Sequence, residues 1–452
     1  MAQKLWQKKQ YKLHDLVEKF ETGSDILLDQ NLVKADVYGS LAHAVMLTSI
    51  NILTDAELKK LILAGKEILA LNDEGKFKLQ FGDEDIHTKV ENYITTHYGD
   101  VGKKLHAGRS RNDQVLVDIR FFTKESLIII YEKYIALIET LHVFALKYEY
   151  IPMPGYTHMQ RAMPSSIGMW AGAYAESMTD TEKIFATVYD LNNQSPLGSG
   201  AGYGVILPLD RQMVSDLLGF AKVQNNSLYT QNSRGKIESA ILFLFLQMLF
   251  DISKLASDVL LFTTTEFNFF HVSDELCTGS SIMPQKKNVD VAELLRSKVH
   301  IMQGYFHQVF NTVLNLPSGY NRDFQDTKKP FMEAIQLMPL ILDVTKLLIE
   351  NIAPNKESLT RALGSEIYAT GASYDLVQKG IPFREAYKQI GENLDHLKKV
   401  DSDEVLRQSQ HIGGTGNLNL SQITDQIINL KKKISKERSS FENTLEKLIN
   451  IS

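Results

Sequence analysis

The segment GSSIMPQKKN, at residues 279–288, combines residue types that could bind an anionic substrate. Ser280 and Ser281 supply hydroxyl groups, Lys286 adds positive charge, and Asn288 can cap the helix that we predict from about residue 289. Hydroxyl and amide donors, a lysine and a helix N-terminus together form a cradle for an anion. An ordinary basic loop that caps a helix has the same composition, so composition alone leaves both interpretations open.

Glycine and proline gather in four such loops, at residues 152–158, 195–208, 277–288 and 315–330. Loops at helix ends are the usual place for binding and catalytic side chains. The glycine-rich run in the second loop does not have the G-x-G-x-x-G spacing, because Tyr203 stands where the third glycine is needed. No strand pattern precedes it, and the sequence therefore predicts no nucleotide site there.

Long helices must position these loops. Apolar residues recur with a helical period over residues 54–70, where Thr54 and Glu57 form a predicted capping box. Five longer apolar-periodic stretches follow, and we read each as a helix without internal proline, at about residues 113–148, 165–192, 233–270, 290–315 and 331–352. Helices of this length normally pack side by side in a bundle. No strand alternation of similar length is evident, so the sequence predicts a mainly α fold.

Composition excludes several classes of protein. The 49 Lys+Arg and 54 Asp+Glu residues give a net charge of −5, which opposes a general nucleic-acid binder. A single cysteine, Cys277, opposes a disulfide framework and fits a reducing cytoplasm. The first residues resemble no secretory signal, and the strongest apolar run, at residues 241–250, is shorter than the roughly 20 residues that cross a membrane. We therefore expect a cytoplasmic protein with no membrane segment.

The chain divides by pattern into three parts. A break near residues 353–355 separates the long helices from a smaller, charge-rich C-terminal portion. We predict an N-terminal helical domain at residues 1–110, a central bundle at 111–354 and a small helical domain at 355–452. The histidines include no HExxH pair. His300 and His307 share a predicted helix face and are expected to pack in the bundle, so no metal site is expected.

Residues 279–288 resemble the signature loop of the fumarase/aspartase superfamily, G-S-S-x-M-P-x-K-x-N, at every position. Three more segments are similar to the argininosuccinate lyase family: KLHAGRSRNDQV at 104–115, PGYTHMQRAMP at 154–164 and LPSGYNRDFQDTKK at 316–329. The spelling QKKN also favours this family, since fumarases and aspartases typically have GKVN and adenylosuccinate lyases YKRN. GIPFREAY, at residues 380–387, extends the resemblance towards the C-terminus.

The resemblance implies a three-domain fumarase/aspartase-like fold with a central long-helix bundle and a 20-helix core in the homotetramer. It implies a carbon–nitrogen lyase of arginine biosynthesis that reversibly converts argininosuccinate into L-arginine and fumarate by β-elimination, without a cofactor. Active sites would be built from loops of three subunits. The alternatives are another fumarate-releasing lyase, such as adenylosuccinate lyase, and an inactive structural protein like the δ-crystallins.

Family resemblance also assigns the proton transfers. Ser280 matches the general base, and because a serine hydroxyl is a weak acid it must gain acidity from nearby amides and Lys286. His158, paired with Glu293, matches the general acid that protonates the leaving nitrogen. A lone histidine in a loop usually has only a structural role, and it is the surrounding motif that favours catalysis here. The direction of the two proton transfers stays open at this point.

Binding residues carry over by position. Polar residues that hold the succinate carboxylates match Ser110, Asn112, Thr157 and Asn288. Residues that face the arginine half match Tyr320, Gln325 and Lys328. Arg111 is expected to bind substrate and also to anchor the loops. Ser24 matches an N-terminal binding serine, although its spacing to Gly39 and Ser40 departs by one residue from the family pattern. Asp85 and His87 are expected behind the site. The segment at 233–237 and Val289, where the family has proline, depart from the family sequence. Whether the substrate is plain or acylated argininosuccinate is also left open.

Overall fold

A computed structural model describes residues 14–23, 25–80, 83–397 and 400–451, so the predicted binding residue Ser24 lies outside the described residues. The helices of the first half are α1 (Asp15–Thr22), α2 (Asp25–Asp29), α3 (Val33–Ser49), α4 (Asp55–Asp73), α5 (Ile86–Tyr98), α6 (Val101–Lys104), α7 (Arg111–Lys147), α8 (Ile167–Asp180), α9 (Glu182–Asn192) and α10 (Arg211–Leu217). Those of the second half are α11 (Ser227–Asn232), α12 (Lys236–Phe262), α13 (Asp290–Val313), α14 (Gln325–Glu350), α15 (Lys356–Ala362), α16 (Ala369–Gln378), α17 (Phe383–Gly391), α18 (Ser402–Gln408) and α19 (Leu420–Ile449).

The strands are short and pair two by two. They are β1 (Pro152–Thr157) with β2 (Gln160–Ser166), β3 (Gln194–Ser195) with β4 (Lys222–Val223), β5 (Phe270–Val272) with β8 (Ile352–Pro354), and β6 (Thr278–Gly279) with β7 (Lys287–Asn288). Only the β3–β4 pair is parallel. The β1–β2 hairpin was missed in the sequence, where its prolines and glycine indicated a loop.

Long helices form the body of the molecule, which confirms the predicted mainly α bundle. Helix α12 packs along α13, α7 packs against α8 and α14, and α13 packs against α14. The apolar residues buried between these helices belong to one continuous core. The stretch predicted at 165–192 is two helices rather than one, because the chain breaks at Thr181 between α8 and α9.

Helix α14 corrects the expectation that the long helices lack internal proline. It contains Pro330 and Pro339, and the second lies inside the stretch predicted at 331–352. A proline within a helix removes one backbone hydrogen bond and costs about 3 kcal/mol. Phe331, Met338 and Ile341 are buried in the core on the same helix, and this burial offsets the cost.

Side-chain caps fix where several helices begin. The capping box predicted between Thr54 and Glu57 is confirmed at the start of α4. A second capping box at the start of α7 joins Ser110 and Asp113, and Asp85 caps α5 by accepting a hydrogen bond from the Thr88 amide at 2.7 Å. The last two caps lie in segments that also carry predicted site residues.

The chain beyond α14 takes two different courses. Leu363, Ile367 and Tyr368 form a small cluster of their own, with Val405 packed against it. Helix α19 instead returns to the bundle and packs on α3, α7 and α8, where its apolar face joins the main core. The domain boundaries at 110 and 354 stay a prediction.

Helix α12 is long and apolar enough to cross a membrane by length and composition. Of its most apolar window, 61% is buried inside the structure, as expected for the core helix of a bundle. Asp251, Lys254 and Asp258 interrupt the apolar sequence, and Asp258 accepts hydrogen bonds from the aromatic side chains of Trp170 and Tyr174. Burial in the bundle core therefore accounts for the apolar composition of α12.

Candidate active site

The Ser280 loop projects from the short β6–β7 pair, in which Gly279 lies opposite Lys287. Ser280 Oγ accepts hydrogen bonds from the backbone amides of Ile282, at 3.4 Å, and Met283, at 3.2 Å. Amides directed at an oxygen stabilise negative charge on it, which is what a serine base requires. The Lys286 ammonium forms no hydrogen bond or ion pair with any residue that the structure describes.

Polar contacts at the base hold this loop. Lys287 pairs with Asp274 and donates to the Val272 carbonyl at 2.9 Å. Asn288 Nδ2 lies 3.5 Å from Thr278 Oγ1, at the edge of hydrogen-bonding distance. The expectation that Asn288 caps the next helix is wrong.

The reason lies in the backbone of that segment. Asn288 belongs to strand β7, and the residue that precedes the first turn of α13 is Val289, which provides no side-chain cap. The start of α13 therefore has no side-chain cap. Its first turn contains Asp290 and Glu293, and acidic side chains there interact favourably with the helix dipole.

His158 lies at the tip of the β1–β2 hairpin. Thr157 pairs with Gln160, so His158 and Met159 form a two-residue turn, and both have positive φ, 52° and 61°. Thr157 and His158 are exposed. Glu293 is also exposed, and it forms no hydrogen bond or ion pair with His158 within the described part of one chain. The predicted His158–Glu293 pair is thus not formed inside a single chain.

Helix α7 begins with three predicted binding residues. The Ser110 hydroxyl accepts a hydrogen bond from the Asn112 amide at 3.3 Å, which places the half-buried Asn112 side chain on the first helical turn. Arg111 extends sideways and donates to both carboxylate oxygens of Glu84, at 2.5 and 2.9 Å, and to Thr88 Oγ1 at 2.9 Å. Arg111 therefore anchors α7 to the start of α5.

Asp113, which was not predicted as a site residue, holds the glycine-rich run against this helix start. Its carboxylate accepts hydrogen bonds from the amides of Ser110 at 2.8 Å, Gly198 at 3.0 Å and Gly200 at 2.9 Å. Both glycines have positive φ, 84° and 60°, a conformation that favours glycine. Burial raises the pKa of Asp113 to about 6, while the Ser110 amide acts to lower it. The glycine-rich run is thus held in place by its hydrogen bonds to Asp113.

A buried charge cluster lies behind the start of α7. His87 Nδ1 is 2.5 Å from Asp36 Oδ2 and 3.6 Å from Asp118 Oδ2, and the three side chains come from α5, α3 and α7. Burial alone would lower the pKa of His87, but Asp36 and the other carboxylates raise it to about 9. His87 Nδ1 therefore donates a proton to Asp36. These three side chains also have the spacing of a metal site.

The residues predicted to face the arginine half also lie together. Lys328 Nζ, which is buried, contacts Asp29 Oδ1 at 2.8 Å and Asp25 Oδ2 at 3.1 Å. Burial would lower its pKa, but these carboxylates raise it. Gln325 Nε2 donates to the Glu21 carbonyl at 2.6 Å. Asp25 and Asp29 were not predicted, since nothing in their local sequence indicates a lysine 300 residues away.

Tyr320 completes this group. The buried Arg234 guanidinium lies over the Tyr320 ring at 5.2 Å and over the Phe324 ring at 5.3 Å. Arg234 belongs to the segment at 233–237 that departs from the family sequence, and the structure places that segment beside a predicted binding residue. Asp29 connects this group to α5, because its second carboxylate oxygen accepts the Ile86 amide at 3.2 Å.

Comparisons with known proteins identify the family of this chain. A family model described as Lyase matches residues 12–304. An argininosuccinate lyase of Parabacteroides distasonis is 41% identical over 97% of this chain and 98% of its own length. One of Thermotoga neapolitana is also 41% identical, over 88% of this chain and all of its own length.

The chain belongs to the argininosuccinate lyase family. The predicted resemblance and the lyase class are therefore confirmed, and these relatives favour argininosuccinate lyase over adenylosuccinate lyase. Solved structures agree on the fold. An EDDS lyase in complex with formate has a TM-score of 0.79 at 21% identity and covers 95% of this chain and 94% of its own. A class II fumarase of Schistosoma mansoni has a TM-score of 0.69 at 15% identity, over 83% and 90%.

Proposed function

We propose that this protein is a cytoplasmic argininosuccinate lyase of arginine biosynthesis, which reversibly cleaves argininosuccinate into L-arginine and fumarate. The observation that carries the proposal is 41% identity with enzymes of that name along nearly the whole chain. The loops quoted above lie within that span. No step of the proposed mechanism needs a metal or another cofactor.

The reaction begins at the carbon beside a succinate carboxylate. In the proposal, Ser280 Oγ removes a proton from that carbon, and the carboxylate next to it takes up the second negative charge. The amides of Ile282 and Met283, which already point at Ser280 Oγ, stabilise the deprotonated hydroxyl. Lys286, with no partner among the described residues, is available to neutralise charge on Ser280 or on the substrate.

The carbon–nitrogen bond then breaks towards the guanidino group. The electron pair of the broken bond goes to the guanidino nitrogen, His158 gives that nitrogen a proton, and the products are arginine and fumarate. Glu293 supports the charged form of the imidazole. Because His158 and Glu293 are both exposed and apart within one chain, this pair requires loops from different subunits.

Binding of the substrate divides between two groups. Ser110, Asn112, Thr157 and Asn288 hold the succinate carboxylates in this proposal, and Arg111 fixes the helix start that presents the first two. Tyr320, Gln325 and Lys328 face the arginine half. Lys328 pairs with both Asp25 and Asp29, so an incoming carboxylate shares its ammonium group with them, and one of the two can bind the substrate's α-amino group.

We also propose a homotetramer built on the long helices. Large apolar side chains remain exposed on the bundle helices, as expected of a surface that another subunit covers. The exposed residues on α7, α12, α13 and α14 are Ile129, Val143, Leu146, Phe243, Phe250, Leu294, Ile301, Phe310, Leu340 and Leu347.

One assay tests the activity. Purified protein is incubated with argininosuccinate and, separately, with adenylosuccinate, and fumarate is followed by its ultraviolet absorbance. We expect fumarate from argininosuccinate only. Fumarate from adenylosuccinate alone would favour the other lyase, and fumarate from neither would favour an inactive protein of the δ-crystallin kind.

A mixing experiment tests the shared site. Ser280→Ala and His158→Asn proteins, each inactive, are dissociated together and reassembled at equal concentrations. If Ser280 and His158 of one site come from different subunits, random assembly restores about a quarter of the wild-type activity. Recovery no greater than the sum of the two variants alone would contradict the shared site.

A further inference from the structure

Arg161 connects the His158 hairpin to the C-terminal helices. It lies in β2 opposite Tyr156, three residues after His158. Its Nη1 donates a hydrogen bond to the carbonyl of Ala362 at 2.8 Å, and its Nη2 lies 3.1 Å from Glu366 Oε1. Ala362 is the last residue of α15, and Glu366 lies in the turn of 3-10 helix that follows. One side chain of the hairpin therefore contacts both elements at the start of the C-terminal helices.

The hairpin needs an external anchor. Two paired strands without a third are marginally stable in water. His158 and Met159 at its tip are non-glycine residues with positive φ, a conformation that surrounding structure must maintain. Because His158 is exposed, its position depends on the orientation of the whole hairpin rather than on contacts of its own side chain.

Apolar packing supplies only part of this anchor. The hairpin packs against α15, α18 and the turn of 3-10 helix, but a cavity of about 700 Å³ opens between these contacts. Thr157 and Met163 line it on the hairpin side, and Tyr368 and Val405 line it on the other. Since the facing apolar surfaces are apart over this space, the polar contacts of Arg161 bridge two elements that otherwise pack incompletely.

We propose that Arg161 is a positioning residue for His158, and that through it the C-terminal helices hold the hairpin in the orientation that proton transfer requires. This inference rests on the proposed function, in which His158 protonates the leaving nitrogen. Arg161 touches no reacting atom. Its guanidinium suits the task because its planar donors reach a carbonyl and a carboxylate at once, whereas a lysine offers a single ammonium group.

The test compares Arg161→Gln, Arg161→Lys and Glu366→Gln with Arg361→Gln as a matched control. Arg361 is an exposed arginine of α15 whose side chain pairs with Glu357 on its own helix. We expect Arg161→Gln to lower kcat about tenfold with KM changed less than about threefold, because a displaced His158 affects proton transfer more than binding. Glu366→Gln should lower kcat less, and Arg161→Lys should have an intermediate kcat, since its single ammonium group keeps one of the two contacts.

Hydrogen exchange gives a readout that does not depend on turnover. In Arg161→Gln, amides of residues 156–161 should exchange about fivefold faster or more, while the bundle helices keep wild-type protection. Wild-type kcat and hairpin exchange in Arg161→Gln, or losses equal to those of Arg361→Gln, would overturn the proposal. If Arg161→Gln does not fold, Glu366→Gln and Arg161→Lys decide by the same comparison. If the wild type releases no fumarate from argininosuccinate, the proposed function fails, whereas the exchange data still show whether Arg161 holds the hairpin.

Discussion

The start of α7 and the Ser280 loop are two parts of one proposed site with opposite surroundings. At the start of α7, Asp113 and the cluster of Asp36, His87 and Asp118 are all buried, and each carboxylate or imidazole faces an amide or a charge within the same chain. In the loop, the Ser280 side chain bonds only to amides of the same loop among the residues that the structure describes, and the nearby Ile282 is 83% exposed.

The difference follows from the cost of burying charge. A buried carboxylate without a partner is strongly destabilising, so the interior part of the site must be complete before the chain is stable. Exposed side chains such as Ser280 and His158 are solvated and carry no such requirement. Their partners in the site can therefore come from other subunits. We therefore expect substitutions in the loop and hairpin to affect catalysis and substitutions in the interior to affect stability.

Ser280→Ala should produce the largest effect on activity. Removal of the proposed base should lower kcat about 1,000-fold or more, because proton transfer by a positioned group contributes roughly 100- to 10,000-fold. The melting temperature and the oligomer should be unchanged, since the loop projects from the body. Fumarate release and size-exclusion chromatography measure the two. Ser297→Ala, an exposed serine on α13 that bonds to its own helix, is the control. Near-normal turnover in Ser280→Ala would remove Ser280 from the base role.

His158→Asn should lower kcat about 100-fold with little change in KM. Asparagine accepts positive φ more readily than most residues, so this substitution keeps the turn while it removes the imidazole. Met159→Asn, which alters the other turn residue in the same way, should retain most of the activity. Steady-state kinetics on both variants give the comparison. A rise in KM without a fall in kcat would make His158 a binding residue instead.

Asp36→Asn should instead lower stability. It removes the charge that stabilises protonated His87, and breaking a buried ion pair costs about 3–5 kcal/mol. Asp343→Asn breaks an exposed ion pair with Lys133 and should cost under about 1 kcal/mol. Urea unfolding followed by circular dichroism, at one protein concentration, measures both. Equal losses in the two variants would contradict the contrast between interior and surface.

A pH dependence of stability should accompany this buried ion pair. The folded pKa of His87, about 9, lies above its ordinary value of 6.5, so the folded state binds the proton more tightly. This contribution is complete below about pH 6.5 and is lost as the pH rises towards 9, by at most about 1.4 kcal/mol per pH unit. Urea unfolding at pH 6.5, 8 and 9 should show the decline.

His87→Gln removes the titrating group and should flatten this decline. His271→Gln, at an exposed histidine of β5, is the matched control and should keep the wild-type slope. An unchanged slope in His87→Gln would assign the pH dependence to other groups.

Local patterns predicted the long helices well. Helices α7 and α13 were expected at 113–148 and 290–315 and extend over Arg111–Lys147 and Asp290–Val313, because continuous apolar periodicity is written in adjacent residues. The break at Thr181 was missed since no glycine or proline marks it. The hairpin was missed because its three prolines locally oppose a strand, whereas the pairing of β1 with β2 determines the structure.

The site was predictable only where a motif is contiguous. The Ser280 loop and the His158 turn were found in this way. The contacts of Asp113 with Gly198 and of Lys328 with Asp29 join residues far apart in the chain, and no local spacing encodes them. The pairing of His158 with Glu293 is even harder to predict from sequence, since in the proposed assembly the two residues belong to different subunits.

The return of α19 to the bundle also constrains how this chain is made. Lys124 of α7 contacts Glu437 at 3.2 Å, and Phe121 packs on Phe441, so late residues complete the core around an early helix. During synthesis, α7 leaves the ribosome long before α19 exists, and the part of its surface that α19 covers has no final partner in that interval. Emergence of α19 is therefore the step that completes this part of the core, and a chain that stops short of α19 exposes a surface for chaperones and proteases.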